Sequence, residues 1–219
     1  MPSIALWVAI GYLFGSLPTA YIVARGARGI DIRKYGSGNV GGSNVYQHVG
    51  VLAAAFVGVA DGLKAIAAAE LALLLTGDAA AQAAAGLGAV LGHCWSPWLR
   101  LAGGRGMAPS VGALLTLWLP APAYMTVVHL LGSAFRFAAP ADLMAMATLP
   151  ALAIAFTDNR PLVWLCLGLF LAIAAKRLHA NGLPLPPQSR DRRLVLLRRL
   201  FLDRDVPRDQ EWVGRRPRQ

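Results

Sequence analysis

The chain has 219 residues, 56% of them hydrophobic and only 15% charged, and its formal net charge is +10. Long apolar runs with clustered charges exclude a soluble domain built on one core and imply membrane spans. The Arg residues flank those runs and no aromatic sheet platform for bases is evident, so the positive-inside bias and anionic lipid explain the charge, and nucleic acid is excluded as a partner.

Residues 4–24 read as a first span, ending near Pro18 and Tyr21. The N-terminus lacks a basic n-region and the run is too long for a signal sequence, so the span is expected to be retained. Arg25, Arg28, Arg33 and Lys34 follow, and then a Gly-rich polar segment, GSGNVGGSNVYQHVG, over 36–50. Residues 51–75 form a second span carrying Asp61, Lys64 and Glu70, and a Gly77-Asp78 turn leads to a third over about 80–99. A second Gly-rich loop closes it at 102–106. Residues 107–135 form either one long span or two short helices, and the two prolines of LPAPA at 119–123 favour a stop. Spans at 139–157 and 161–178 complete the membrane part.

Charge separates the counts. Splitting 107–135 gives about seven transmembrane helices and gathers Arg100, Arg105, Arg136, Lys176 and Arg177 with the basic 25–34 loop on one side. By the positive-inside rule that side is cytoplasmic, with the N-terminus outside and the C-terminus inside. The expected class is therefore an all-α, polytopic integral membrane protein with short Gly-rich cytoplasmic loops. Residues 1–187 form its membrane-embedded domain and 188–219 a basic cytoplasmic tail. That tail holds ten Arg and five acidic residues. It suits either a helix lying on anionic lipid or a solvated segment.

The two Gly-rich segments carry the candidate chemistry. Gly36, Gly38, Gly41 and Gly42 permit turns, while Ser37, Asn39, Ser43 and Asn44 offer donors and acceptors to phosphate oxygens and hydroxyls. In the second loop Gly103, Gly104 and Gly106 surround Arg105 just ahead of a helix. Backbone N–H groups and a guanidinium there can hold an anion. His93 stands before this loop and could polarise a substrate oxygen or move a proton, or simply make a structural hydrogen bond. His48 is a weaker version of the same, and His129 and His179 lack polar company in the sequence. Asp61 and Lys64 share a helix face, either as a neutralising pair or with Lys64 turned toward an anion. Cys94 and Cys166 lie in or beside apolar runs and read as small apolar groups. No HExxH, GxSxG or carboxylate-rich spacing occurs, so neither a metal nor a cofactor is expected.

These residues resemble the bacterial membrane glycerol-3-phosphate acyltransferases that use acyl phosphate. The family's GSxPTxY reads GSLPTAY at 15–21, and its GIDIRxxGSGNxGATNVxRxxG reads GIDIRKYGSGNVGGSNVYQHVG at 29–50. Its DxxKG matches Asp61 and Lys64, followed by Ala65, and GHxFPVFLKFKGGKGVAT reads GHCWSPWLRLAGGRGMAP at 92–109. Order and spacing agree over roughly the first half of the chain.

The resemblance implies seven helices with the N-terminus outside, in the bacterial inner membrane. It implies acyl transfer from acyl phosphate to the 1-hydroxyl of glycerol 3-phosphate, giving lysophosphatidic acid. Ser37, His93 and Arg105 would be catalytic; Gly38, Asn39, Asn44, Lys64, Gly103, Gly104 and Gly106 would bind substrate. No obligate protein partner follows from it. The pattern differs at Gln47, in place of Arg, and at Ala102, in place of Lys. No Ser occurs at 136–142, and the family's HxxNxxRL, laid over 171–178, meets Leu171 and Ala174 at its His and Asn. A relative that binds a phosphorylated lipid or metabolite without turnover, or a membrane scaffold, is the alternative class.

Overall fold

The computed structural model describes residues 3–206, and within them every regular element is helical. α1 (Ile4–Ser16) and α2 (Thr19–Arg28) form one apolar run broken at Leu17-Pro18. Pro18 supplies no N–H and keeps Leu17 extended, which ends α1. The short helix α3 (Gly42–His48) lies inside the first Gly-rich segment, which the sequence reads as loop throughout. α4 (Val51–Thr76) is the longest element, and its 26 residues rise about 39 Å, enough to cross a bilayer.

α5 (Ala79–Cys94) is shorter than the expected 80–99 span, because Trp95-Ser96-Pro97 turns the chain into a single 3₁₀ turn at Pro97–Leu99. The 107–135 stretch is two helices, α6 (Met107–Leu117) and α7 (Pro120–Ala134), broken where the prolines place the stop. α8 (Ala138–Phe156) and α9 (Arg160–His179) follow. Among the described residues, four apolar runs are long enough to cross a membrane: Ile4–Arg28, α4, α8 and Arg160–Gly182. α5, α6 and α7 complete the bundle as shorter helices.

α5 is the central post, buried along most of its length between α1, α4, α6 and α9. Its sequence explains this. Ala and Gly at nearly every position let neighbouring backbones approach closely, which is how membrane helices pack when lipid offers no hydrophobic drive. A Cβ on Gly11 or Gly15 would collide with the α5 backbone at Ala85 or Ala89, and one on Gly88 or Gly92 with the α1 backbone at Val8 or Tyr12. Large apolar side chains instead face outward, among them Leu52, Leu74, Phe156 and Trp164. Cys94 and Cys166 are both free and buried, as small apolar groups should be.

The tail begins as α10 (Ser189–Leu202), which packs on α8 and α9 rather than standing apart from them. The remainder of the basic tail, 207–219, lies outside the described residues.

Candidate functional site

The two Gly-rich segments meet at one end of the bundle. Val40 N donates to Gly103 O at 3.3 Å, joining them directly. Asn181, in the 3₁₀ turn after α9, clamps both: its Nδ2 donates to Gly38 O at 3.2 Å and Gly103 O at 3.1 Å, and its Oδ1 accepts from Gly103 N at 3.1 Å. Overlaying the family's last motif on 171–178 puts Ala174 where an Asn is expected; in space the asparagine that touches the loops is Asn181.

The first segment is built around Asn44. This residue is buried, and its Nδ2 donates to the carbonyls of Ile32, Tyr35 and Asn39. The Nδ2 half of the amide expected to meet substrate is thus spent on shaping the loop, while its Oδ1 has no hydrogen-bond partner among the described residues. Upstream, Asp31 caps the 3₁₀ turn Ile32–Lys34 and pairs with Arg33, whose side-chain hydrogen bonds hold the Asp31 carboxyl below its usual range. Ser37 Oγ accepts from Asn39 N at 3.2 Å, and Gly38 takes a φ of +69°, a left-handed value suited to glycine. Asn39 is buried, and among the described residues its Oδ1 has no hydrogen-bond partner.

The second loop folds back under the end of α5. Gly104 N donates to His93 O at 3.1 Å, and any Cβ on Gly104 would strike the His93 ring. Gly106, at φ +84°, turns the chain into α6, so the positive end of that helix stands directly behind Arg105. Arg105 Nη1 donates to Lys176 O at 3.2 Å, and its Nε lies 2.6 Å from Asp203 Oδ1 of the tail.

Lys64 does not reach toward this anion position. Its Nζ pairs with Asp61 at 2.7 Å and donates to the carbonyls of Gly15 and Leu17, which the α1–α2 break leaves without helical partners. Asp61 in turn lies 3.6 Å from His93 Nδ1, standing between the lysine and the histidine.

A cavity of about 490 Å³ opens here. Asn39, Asp61, His93, Arg105 and Asp142 are among its polar lining residues, and Met107, Val111 and Met125 among its apolar ones. A smaller cavity of about 150 Å³ adjoins it, lined by Ser37, Asn44 and Gln47 from the first segment and Arg204 from the tail. Asn39, Ser43, Ala139 and Asp203 border both. Of the expected residues, then, His93, Arg105, Asn39 and Gly106 meet at the larger cavity and Ser37 and Asn44 at the smaller. Gly38, Gly103 and Gly104 shape the walls, and Lys64 supports the α1–α2 break.

Further charged residues gather at the site from α7, α8 and α9. His129 Nδ1 lies 2.9 Å from Asp142 Oδ1 across α7 and α8, and both residues line the larger cavity. Arg177 is buried and donates from Nη1 to Ala139 O and Leu200 O. Lys176 is fully buried beneath the second loop, with Nζ 3.5 Å from Leu101 O and 5.1 Å from the centre of the Trp95 ring. It therefore brings a cation close to Ala102, where the family pattern has Lys. Only Lys176 and Arg177 could have been anticipated, as charges inside an apolar run; the others are brought in by packing.

A bundle of apolar helices enclosing a cavity lined by both charged and apolar side chains defines a helical membrane protein with an internal site. Residues 5–182 match the family described as Glycerol-3-phosphate acyltransferase. Glycerol-3-phosphate acyltransferase 4 of Dehalococcoides mccartyi (strain CBDB1) is 35% identical over 98% of this chain and 94% of its own length. The glycerol-3-phosphate acyltransferase of Nitrobacter winogradskyi is 43% identical over 66% of this chain and 74% of its own. In fold, the chain is similar to the crystal structure of PlsY (YgiH), an integral membrane glycerol 3-phosphate acyltransferase in its glycerol 3-phosphate form. That likeness has a TM-score of 0.73 at 24% identity and covers 83% of this chain and 90% of the other. The chain belongs to the glycerol-3-phosphate acyltransferase family and is an integral membrane protein.

Proposed function

We infer that this membrane acyltransferase moves a fatty acyl group from acyl phosphate to the 1-hydroxyl of glycerol 3-phosphate. The hydroxyl oxygen attacks the acyl carbonyl, the bond from that carbon to the phosphate oxygen breaks, and the hydroxyl proton leaves with the phosphate. The products are lysophosphatidic acid and inorganic phosphate. An acyl phosphate is already activated, so the protein need not form a covalent intermediate. Positioning and charge neutralisation supply the rate.

The observation that carries this reading is the composition of one cavity. It brings Asn39, His93 and Arg105 together with Met107, Val111 and Met125 in one lining. The polar groups suit phosphate and glycerol hydroxyls and the apolar side chains suit an acyl chain. Arg105 neutralises phosphate, with the positive end of α6 behind it. His93 supplies a hydrogen bond to the reacting oxygens, and Ser37, in the adjoining smaller cavity, is a candidate contact to the glycerol 3-phosphate. Anionic membrane lipid is the expected partner of the outer Arg residues. The basic loops and the tail are assigned to the cytoplasmic side of the bacterial inner membrane, with the N-terminus outside.

Purified protein in detergent, supplied with acyl phosphate and glycerol 3-phosphate, should form lysophosphatidate. Folded protein that binds glycerol 3-phosphate without forming that product would defeat the enzymatic reading.

A further inference from the structure

The tail reaches into the site. Arg199 of α10 is buried and pins the tail: Nε and Nη2 donate to the Asp205 carboxylate, Nη1 donates to Leu178 O, and Nη2 also reaches Leu183 O and Pro184 O. Arg177 adds a second pin through Leu200 O at 3.0 Å. Between these anchors Asp203 takes a φ of +55°, a left-handed value that few residues other than glycine adopt. That turn brings its carboxylate to Arg105 Nε at 2.6 Å.

The arrangement occupies Arg105. Its Nη1 donates to the Lys176 carbonyl, and its Nε forms an ion pair with the Asp203 carboxylate. A guanidinium grips phosphate best through two parallel N–H groups on one edge. Phosphate and the Asp203 carboxylate, both anions, therefore compete for the same guanidinium charge. Asp203 also borders both the 490 Å³ and the 150 Å³ cavity, so it stands where a ligand would pass from one to the other.

We propose that Asp203 is an internal counter-ion of the phosphate site, which a substrate phosphate displaces on entering and which returns as product phosphate leaves. This rests on the reading that Arg105 takes a substrate phosphate. Asp203 thereby sets the affinity of the site: it weakens phosphate binding and prevents the inorganic phosphate product from trapping the enzyme. The α10 tail is a working wall of the site rather than an appendage.

The test measures inorganic phosphate binding calorimetrically on the full chain in detergent. Asp203→Asn and Asp203→Ser should each tighten phosphate about five- to twentyfold, the scale of a lost competing charge at a partly buried ion pair. The KM for one or both phosphate-bearing substrates should fall in parallel. In an Arg105→Ala background the same substitutions should change nothing, because the contested cation is gone. Arg190→Gln, on the exposed face of α10, should match wild type. Unchanged or weaker phosphate binding in both Asp203 variants overturns the proposal, since a merely structural staple would leave affinity level or reduce it. Absence of lysophosphatidate from wild-type protein would instead defeat the enzymatic reading, whatever the phosphate titrations give.

Discussion

Arg105 and Asn181 do different work, and their variants should separate it. Arg105→Ala removes a cation from the lining of the cavity. We expect kcat/KM to fall about 100-fold or more, as when one preorganised transition-state donor is lost. Arg190→Ala, on the tail surface, should stay within about twofold, because an exposed charge contributes little. Equal losses in steady-state assays would reduce the second loop to a turn. Asn181→Ala keeps every charge but cuts the three hydrogen bonds that clamp Gly38 and Gly103. Gly103 O keeps Val40 N, but Gly103 N and Gly38 O lose the Asn181 partner, and a buried group left unpaired costs about 1–3 kcal/mol. Lower thermal stability together with a raised KM should follow. A raised KM with stability intact would make Asn181 a ligand contact instead. The sequence exposes Arg105 because glycines surround it just ahead of a helix. It hides Asn181, Asp203 and the His129–Asp142 pair, because each becomes meaningful only through a partner on another element. Lys64 shows the same limit in reverse: a lysine beside an aspartate on one helix face looks available, until the α1–α2 break supplies carbonyls for it to satisfy.

Among elements, the α1–α5 seam is the most constrained contact. Gly88→Val should lower the unfolding temperature in detergent sharply, since the added Cβ meets the Val8 backbone and helix backbones cannot yield as side chains do. Gly26→Ala in α2 has open space around its Cβ and should be neutral or slightly stabilising, as Ala is the better helix former. Similar unfolding temperatures for the two variants would mean that α1 packs less closely than described. Helix boundaries were largely legible. The split of 107–135 at the prolines, and the limits of α4, α8 and α9 to within a residue or two, follow from hydropathy and turn chemistry. The end of α5 at Cys94 and the short α3 were not, because both depend on tertiary partners. Trp95, Ser96 and Trp98 bond to α1, and Asn44 ties α3 to the loop before it. The docking of α10 was equally hidden, since its Arg residues suit lipid, solvent or a protein surface equally well.

At the scale of the whole molecule, the Arg distribution makes a directional prediction. In protein whose buried Cys94 and Cys166 are replaced by Ala, single cysteines at Lys34 and Gly182 should resist an impermeant thiol reagent in intact spheroplasts. Cysteines at Leu119 and Asp158 should react. Labelling of Lys34→Cys from outside would invert the arrangement.

α6 has a further consequence at this scale. Its 11 residues rise about 16 Å, roughly half the ~30 Å hydrocarbon thickness of an ordinary bilayer. The loop carrying Arg105 sits at its head, and a bilayer thinned at this point would match that length. A local dimple of that kind lets a water-borne metabolite and a lipid-borne acyl donor reach the same depth without either fully changing phase. Lipid thickness should then act as a rate variable. In nanodiscs, lipids with short acyl chains match the thinned region and should support faster turnover than long-chain lipids, which must be compressed to fit. A rate indifferent to chain length would mean that α4 and α7 shield α6 from lipid, so that the bilayer never feels its shortness.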